Sequence, residues 1–129
     1  MIRRLRKGEH GQALVEMALV LPLFFLLLFG VIEMGRIGYA YITVCNAARE
    51  GCRTATFGKT NGVIGISVKN AAVSLDPMSL KPPEITPEAD RQSGQDVTVK
   101  VTYTVKLVIP IIRNVNSVDV SSSIVMRME

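Results

Sequence analysis

The chain has 129 residues, about one modest domain's worth, with 5% aromatic residues and no tryptophan. Its net charge of +4 does not describe a nucleic-acid surface, because Met1–Gly11 holds four basic residues and one acidic residue while the remainder is almost balanced. Two cysteines and a single histidine give no basis for a disulfide framework or a metal centre.

Arg3, Arg4, Arg6 and Lys7 stand directly before Ala13–Ile32, twenty residues with one charge, Glu16. As a helix this run is roughly 30 Å long, the thickness of a bilayer's hydrocarbon core. Basic residues on its N-terminal side predict a single-pass segment with the N-terminus in the cytoplasm and the remaining chain outside. The expected organisation is a basic leader over 1–11, a transmembrane half-helix over 12–33 and an extracytoplasmic domain over 34–129. Under roughly 100 residues remain for a soluble part, enough for one core and not for two. Pro22 removes a backbone hydrogen bond inside the apolar run and predicts a kink, which membrane helices tolerate. A cleavable secretory signal ending at Gly38-Tyr39-Ala40 is the rival for this region. Against it, the apolar run is longer than an ordinary signal's, and Glu33 and Arg36 intervene.

Gly11 closes the polar leader and Glu16 follows five residues later. A Gly-x-x-x-x-Glu string at the junction of a basic leader and an apolar helix resembles the processing site of type IV prepilins. The wider string Gly11-Gln12-Ala13-Leu14-Val15-Glu16-Met17-Ala18-Leu19-Val20-Leu21-Pro22-Leu23 resembles TadE-like pseudopilins of the tight-adherence (Flp, type IVc) pilus. Ala47-Ala48-Arg49-Glu50-Gly51-Cys52-Arg53 and the closing Met126-Arg127-Met128-Glu129 are similar to that family as well. The resemblance implies that a membrane prepilin peptidase cuts after Gly11 and that Gln12, where many prepilins have an apolar residue, carries the new α-amine. It implies as partners the membrane, that peptidase, other pilins and pseudopilins and the pilus assembly platform. The role it implies is a minor subunit that helps to prime, cap or assemble the filament for adhesion. Glu16 also has a physical argument of its own, because a carboxylate entering a membrane is costly unless paired or solvated. Either it lies close enough to the cytoplasmic interface to meet water, or, as the resemblance implies, it pairs with a neighbouring subunit's amine.

The helical pattern continues beyond the apolar run. Met34, Ile37, Tyr41, Val44, Ala48 and Ala55 recur at spacings of three, four or seven, with Glu33, Arg36, Asn46, Arg49, Glu50 and Arg53 mostly off the stripe. One helix is expected from about Ala13 to Thr56, some 65 Å at helical rise, softened at glycines 30, 35, 38 and 51. Ala47, Gly51 and Ala55 form a small-residue ridge that admits a close backbone. It lies either beneath the domain's own sheet or at a helix contact between subunits. Cys45 and Cys52 are seven apart on this helix, about 10 Å between Cα atoms, too far for a bond to each other. They read as two small buried or half-buried thiols or, alternatively, as a link between subunits.

Phe57-Gly58-Lys59-Thr60-Asn61-Gly62 is a turn-rich break. Gly58-Lys59-Thr60 lacks the earlier glycines and preceding strand of a phosphate-binding loop. Asn61 reads as the N-cap of a second helix with Ile64, Val68, Ala71, Ala72 and Leu75 on one face, ended by Asp76-Pro77. Met78–Ser93 carries three of the six prolines and reads as a loop with a short edge strand near Ile85. Val97, Val99, Val101, Tyr103, Val105, Leu107 and Ile109 alternate with polar residues up to Pro110, and only Val108 breaks the pattern. Val118, Val120, Ile124, Met126 and Met128 alternate with Asp119, Ser121, Ser123 and Arg127. Two period-two runs around a polar turn at Asn114–Ser117 predict an antiparallel hairpin. Its apolar face covers the helices, because a lone hairpin is only marginally stable. The fold class is therefore α+β: one long N-terminal transmembrane and amphipathic helix, a short second helix and a small antiparallel sheet.

No catalytic machinery is legible. The one histidine, His10, lies in the leader, no acid or thiol cluster has ligand spacing, and Ser121-Ser122-Ser123 has no nameable base. The expectation is no enzyme, no cofactor, no metal and no small-molecule substrate. Two rivals to the pilus subunit are a permanently membrane-anchored accessory or binding protein that never enters a filament, and an exported hydrolase, which the missing site disfavours.

Overall fold

A computed structural model describes residues 6–108 and 115–129. Arg3, Arg4, Ile109, Pro110 and Asn114, and the side chains of Arg6, Lys7 and His10, lie outside what it describes. The chain divides into two compact units, Met1–Met34 and Gly35–Glu129.

A single helix, α1 (Arg6–Thr56), runs through both units. It ends at the predicted residue but starts earlier than Ala13, so the helix already includes Gly11 and the residues just before it. It continues without interruption through Pro22 and through the glycines at 30, 35 and 38. Residues with high helix propensity, chiefly leucines, dominate this part. In the first unit every residue from Gly11 to Phe29 is exposed. Phe24 meets Phe25 edge-on at 5.9 Å, and Phe25 stacks on Phe29 at 6.3 Å. Glu33, placed on the polar side by the sequence pattern, is instead buried and has an interaction partner.

The second unit folds around the remainder of α1. Gly58 closes that helix in the left-handed conformation (φ +66°), its N–H donating to the carbonyl of Ala55 at 3.0 Å, as helix-ending glycines do. The second helix, α2 (Asn61–Ala71), follows. Its N-cap is Thr60 and not Asn61. Thr60 is extended and its carbonyl accepts the first helical bond from Ile64. The Asn61 amide donates to the carbonyl of Glu88, 3.0 Å away, so a tertiary contact occupies the side chain that the sequence assigned to capping. The helix stops at Ala71, short of Asp76-Pro77. Ala72 and Leu75 lie in the turn beyond it yet still reach the core.

Three strands, β1 (Glu84–Thr86), β2 (Asp96–Lys106) and β3 (Ser117–Arg127), form an antiparallel sheet in chain order. The short edge strand contains Ile85, as expected. β2 and β3 pair over their full lengths, from Asp96 opposite Arg127 to Lys106 opposite Ser117. Period-two patterning pins that register, because a one-residue slip would turn the valines to solvent. The first alternating run leaves the sheet sooner than predicted, at Lys106. Leu107 donates to the carbonyl of Asn116 at 2.9 Å, and Ser117 is a paired strand residue and not part of a tight turn. The hairpin connection is therefore longer than the polar turn at Asn114–Ser117.

Val44, Ala47, Ala48, Cys52 and Ala55 of α1, Ile64 and Val68 of α2, and Val97, Val99 and Val101 of β2 are fully buried together. The side chains on α1 are small, so the sheet and α2 approach its backbone closely. A Cβ placed on Gly51 would lie 2.5 Å from Cγ2 of Val68 and 3.3 Å from Cγ1 of Val99, inside the contact distance. Glycine is required at position 51 for space.

Candidate functional site

Gly11, Gln12, Glu16 and Pro22 all sit on the first unit's portion of α1, and all are exposed. Gln12 and Glu16 are one helical turn apart and share a face, about 6 Å along the axis, whereas Gly11 and Glu16, five apart, do not. Nothing lies within 4 Å of where a Cβ on Gly11 would stand, so no packing inside the chain demands glycine there. A helical glycine without a packing reason is destabilising by roughly 0.5–1 kcal/mol relative to alanine. The contrast with Gly51 is direct: one glycine answers to its own core, the other to no neighbour among the described residues.

Beyond this head, the large apolar side chains from Leu14 to Phe29 have no cover; Leu14, Leu19 and Leu23 are 68%, 73% and 60% exposed. Contiguous apolar surface of this extent marks contact with a membrane or a partner. The helix carrying it is long and apolar enough to span a bilayer.

The other residues singled out from the sequence lie in the second unit. Ala47, Gly51 and Ala55 are buried against α2 and the sheet. Cys45 and Cys52 are both free thiols, Cys45 half-buried and Cys52 fully buried. The Cys52 thiol donates to the carbonyls of Val97 and Ile124, at 3.4 and 3.5 Å. Burial pushes its pKa up, an effect the backbone N–H groups of Met126 and Val99 partly offset.

Sequence reasoning missed two polar features. The first is a bridge across the outer face of the sheet. Lys81 contacts Asp119 at 2.7 Å, and the Thr104 hydroxyl donates to the same carboxylate at 2.6 Å. The hydrogen bonds from Lys81 and then Thr104 hold the Asp119 carboxyl below its ordinary pKa. The second is Arg91, whose guanidinium donates to the carbonyls of Pro87, Lys59 and Glu88 at 3.0, 2.9 and 3.3 Å. It ties the loop before β2 to the α1–α2 turn. The outward position of Asp119 in its strand was readable from the alternation; its partner, 38 residues earlier, was not. Two open clefts flank this loop. One of about 460 Å³ lies between Gly65 and Pro82–Thr86, and one of about 650 Å³ between Gly58–Gly62 and Glu88–Arg91. Among the described residues no three His, Cys, Asp or Glu side chains converge as a metal site would require.

The family of TadE-like proteins matches residues 11–53. Over this stretch the chain is TadE-like. The match opens on Gly11, covers Gln12, Glu16, Pro22, Ala47 and Gly51, and stops short of Ala55. It takes in the exposed apolar part of α1 and the beginning of the buried ridge; α2 and the sheet lie beyond it. No curated protein and no solved structure gave a significant match.

Proposed function

We propose that this chain is a minor pseudopilin of a tight-adherence pilus, processed by a prepilin peptidase between Gly11 and Gln12 and then built into, or onto, the filament. The observation that carries this reading is the join between two features. The TadE-like stretch opens on an exposed Gly11 and takes in an exposed Glu16, and along the same helix the apolar side chains are uncovered through Phe29. A surface of that kind needs lipid before assembly and the helices of neighbouring subunits after it, with dispersion and close packing replacing lipid contacts.

In this reading the basic leader stays in the cytoplasm and the Gly35–Glu129 unit is extracytoplasmic. Removal of the leader frees the α-amine of Gln12. Glu16 of one subunit then accepts that amine from its neighbour, so two charges that would each be costly in an apolar bundle are neutralised together. The pairing also fixes the axial offset between adjacent helices. Pro22 supplies a place for the helix to bend as it leaves the bilayer. The protein's work is structural, with the membrane, the peptidase, other pilins and the assembly platform as partners. It requires no cofactor, catalytic residue, nucleic acid or small-molecule substrate.

The test is intact mass of the full-length protein expressed with and without the peptidase. The expected result is loss of the first eleven residues only in its presence, and retention of them in a Gly11→Val variant. A chain that still begins at Met1 in both cases would favour the permanently anchored accessory protein. Glu16→Gln separates the two steps: processing and membrane insertion persist, and incorporation into filaments is lost.

A further inference from the structure

The chemistry of Gln12 changes once a chain begins there. In the intact chain its nitrogen is an ordinary amide within α1. Its carboxamide is exposed and has no hydrogen-bond partner among the described residues. A cut after Gly11 turns that nitrogen into an α-amine on the same residue as the carboxamide carbon Cδ, at the separation that closes a five-membered ring. An internal glutamine such as Gln92 or Gln95 has no amine with which to do this.

We infer that processed chains which have not yet met a neighbour close this ring and become blocked at position 12. The inference deepens the proposed function and rests on its cut between Gly11 and Gln12. The unprotonated α-amine attacks Cδ of its own side chain. The N–Cδ bond forms, the bond from Cδ to the side-chain nitrogen breaks, and that nitrogen leaves as ammonia carrying one of the amine's hydrogens. The product is a pyroglutamyl lactam, reached without an oxidant, a reductant or a co-reactant. Both reacting groups stand on one residue, so the step is intramolecular. An α-amine has a pKa of about 7.7–8.0, which leaves part of it unprotonated at neutral pH.

Glu16 decides which chains escape. It stands one helical turn from Gln12 on the same face, and both side chains are exposed. Within a single chain an exposed carboxylate competes with water and holds the amine only weakly. Inside an apolar bundle the neighbour's Glu16 holds it as ammonium, because loss of the proton would strand a carboxylate away from water. An ammonium has no lone pair with which to attack, so the pair protects the residue that forms it. The lactam, conversely, is neutral and cannot neutralise a neighbour's Glu16. A cyclised chain is therefore left out of the filament, and Gln12 limits how long a free subunit stays competent to assemble.

The test is the mass of the N-terminal peptide from full-length protein made with the peptidase and the assembly platform. Sheared filaments are compared with the membranes left behind, through a chase after synthesis is stopped. In the membrane pool, chains beginning at position 12 are expected to lose one ammonia progressively, and with it their reactivity toward amine-labelling reagents at the N-terminus. Filament chains keep both, and Gln12→Leu, which cannot close the ring, shows no loss in either pool. An intact Gln12 in both pools throughout the chase overturns the cyclisation and leaves the cut standing. Lactam in both pools alike, or the same loss of ammonia from Gln12→Leu, overturns the inference as well. Chains that begin at Met1 overturn the cut and the inference together, and absence of the chain from filaments overturns the assembly step on which the protection rests.

Discussion

At the scale of single residues, the two glycines of α1 that matter make opposite demands. Gly51→Ala gains helix propensity of roughly 1 kcal/mol but drives a methyl group into Val68 at 2.5 Å. Overpacking of this kind costs about 1–3 kcal/mol, so a net loss of stability is expected, read from denaturant unfolding in detergent. Restoration by Gly51→Ala combined with Val68→Ala would identify the clash as the cause. Gly11 substitutions meet no such clash, since the site is open, so they should not lower stability while abolishing processing. The cysteines separate by burial in the same way. Cys45 is half-exposed, and Cys52 is buried with its thiol held protonated by desolvation. Since the thiolate is the reactive form, iodoacetamide should modify one thiol per folded chain, with the second reacting only on unfolding.

At the scale of elements, the core predicts where truncation hurts. Among the described residues Ile64 of α2 is the largest fully buried side chain, in the core shared with α1 and the sheet. Ile64→Ala should destabilise the second unit by about 2–5 kcal/mol, as a lowered denaturation midpoint. The Asp119 bridge makes a weaker, pH-dependent contribution. Its carboxyl is held below the ordinary value by Lys81 and Thr104. A depressed acid stabilises the fold above the unfolded carboxylate pKa of about 3.9, and the contribution is lost as pH falls through the lower folded value. The pair is solvent-exposed, so the effect is small. Asp119→Asn should flatten the acid side of a Tm–pH profile and leave the neutral side lowered slightly and evenly.

Elements were legible in the sequence where one periodicity decides them. The end of α1 at Thr56 follows from the stripe running out at a turn-rich string. The β2–β3 pairing follows from alternating valines, and the strand at Ile85 from an extended residue among prolines. The misses were local signals overruled by distant partners. Asn61 looked like a cap but bonds to Glu88, 27 residues away. Leu75 fitted a helical face but reaches the core from a turn. Glu33 looked solvated by position and is buried. The ridge at Ala47, Gly51 and Ala55 was visible as small residues, yet what packs on it depends on the register of α2 and β2, which no local string encodes. The candidate site stands differently. Gly11, Gln12 and Glu16 were legible only by resemblance to a processing motif, because they are exposed on α1 and nothing in the described packing singles them out.

At the scale of the molecule, two kinds of surface are joined on one helix. Unit Gly35–Glu129 closes a core of small and branched residues around α1, whereas the described part of unit Met1–Met34 leaves its apolar side chains open from Leu14 to Phe29. A chain with that second surface is stable in isolation only where something apolar covers it. The central claim is that the cover, before assembly, is lipid. Alkaline carbonate washing of membranes from cells making the full-length protein tests this most directly, because it strips peripheral proteins and retains spanning ones. The account predicts that the chain stays in the membrane pellet and is released only by detergent. Its recovery in the carbonate supernatant, or in the soluble fraction before any wash, would contradict it.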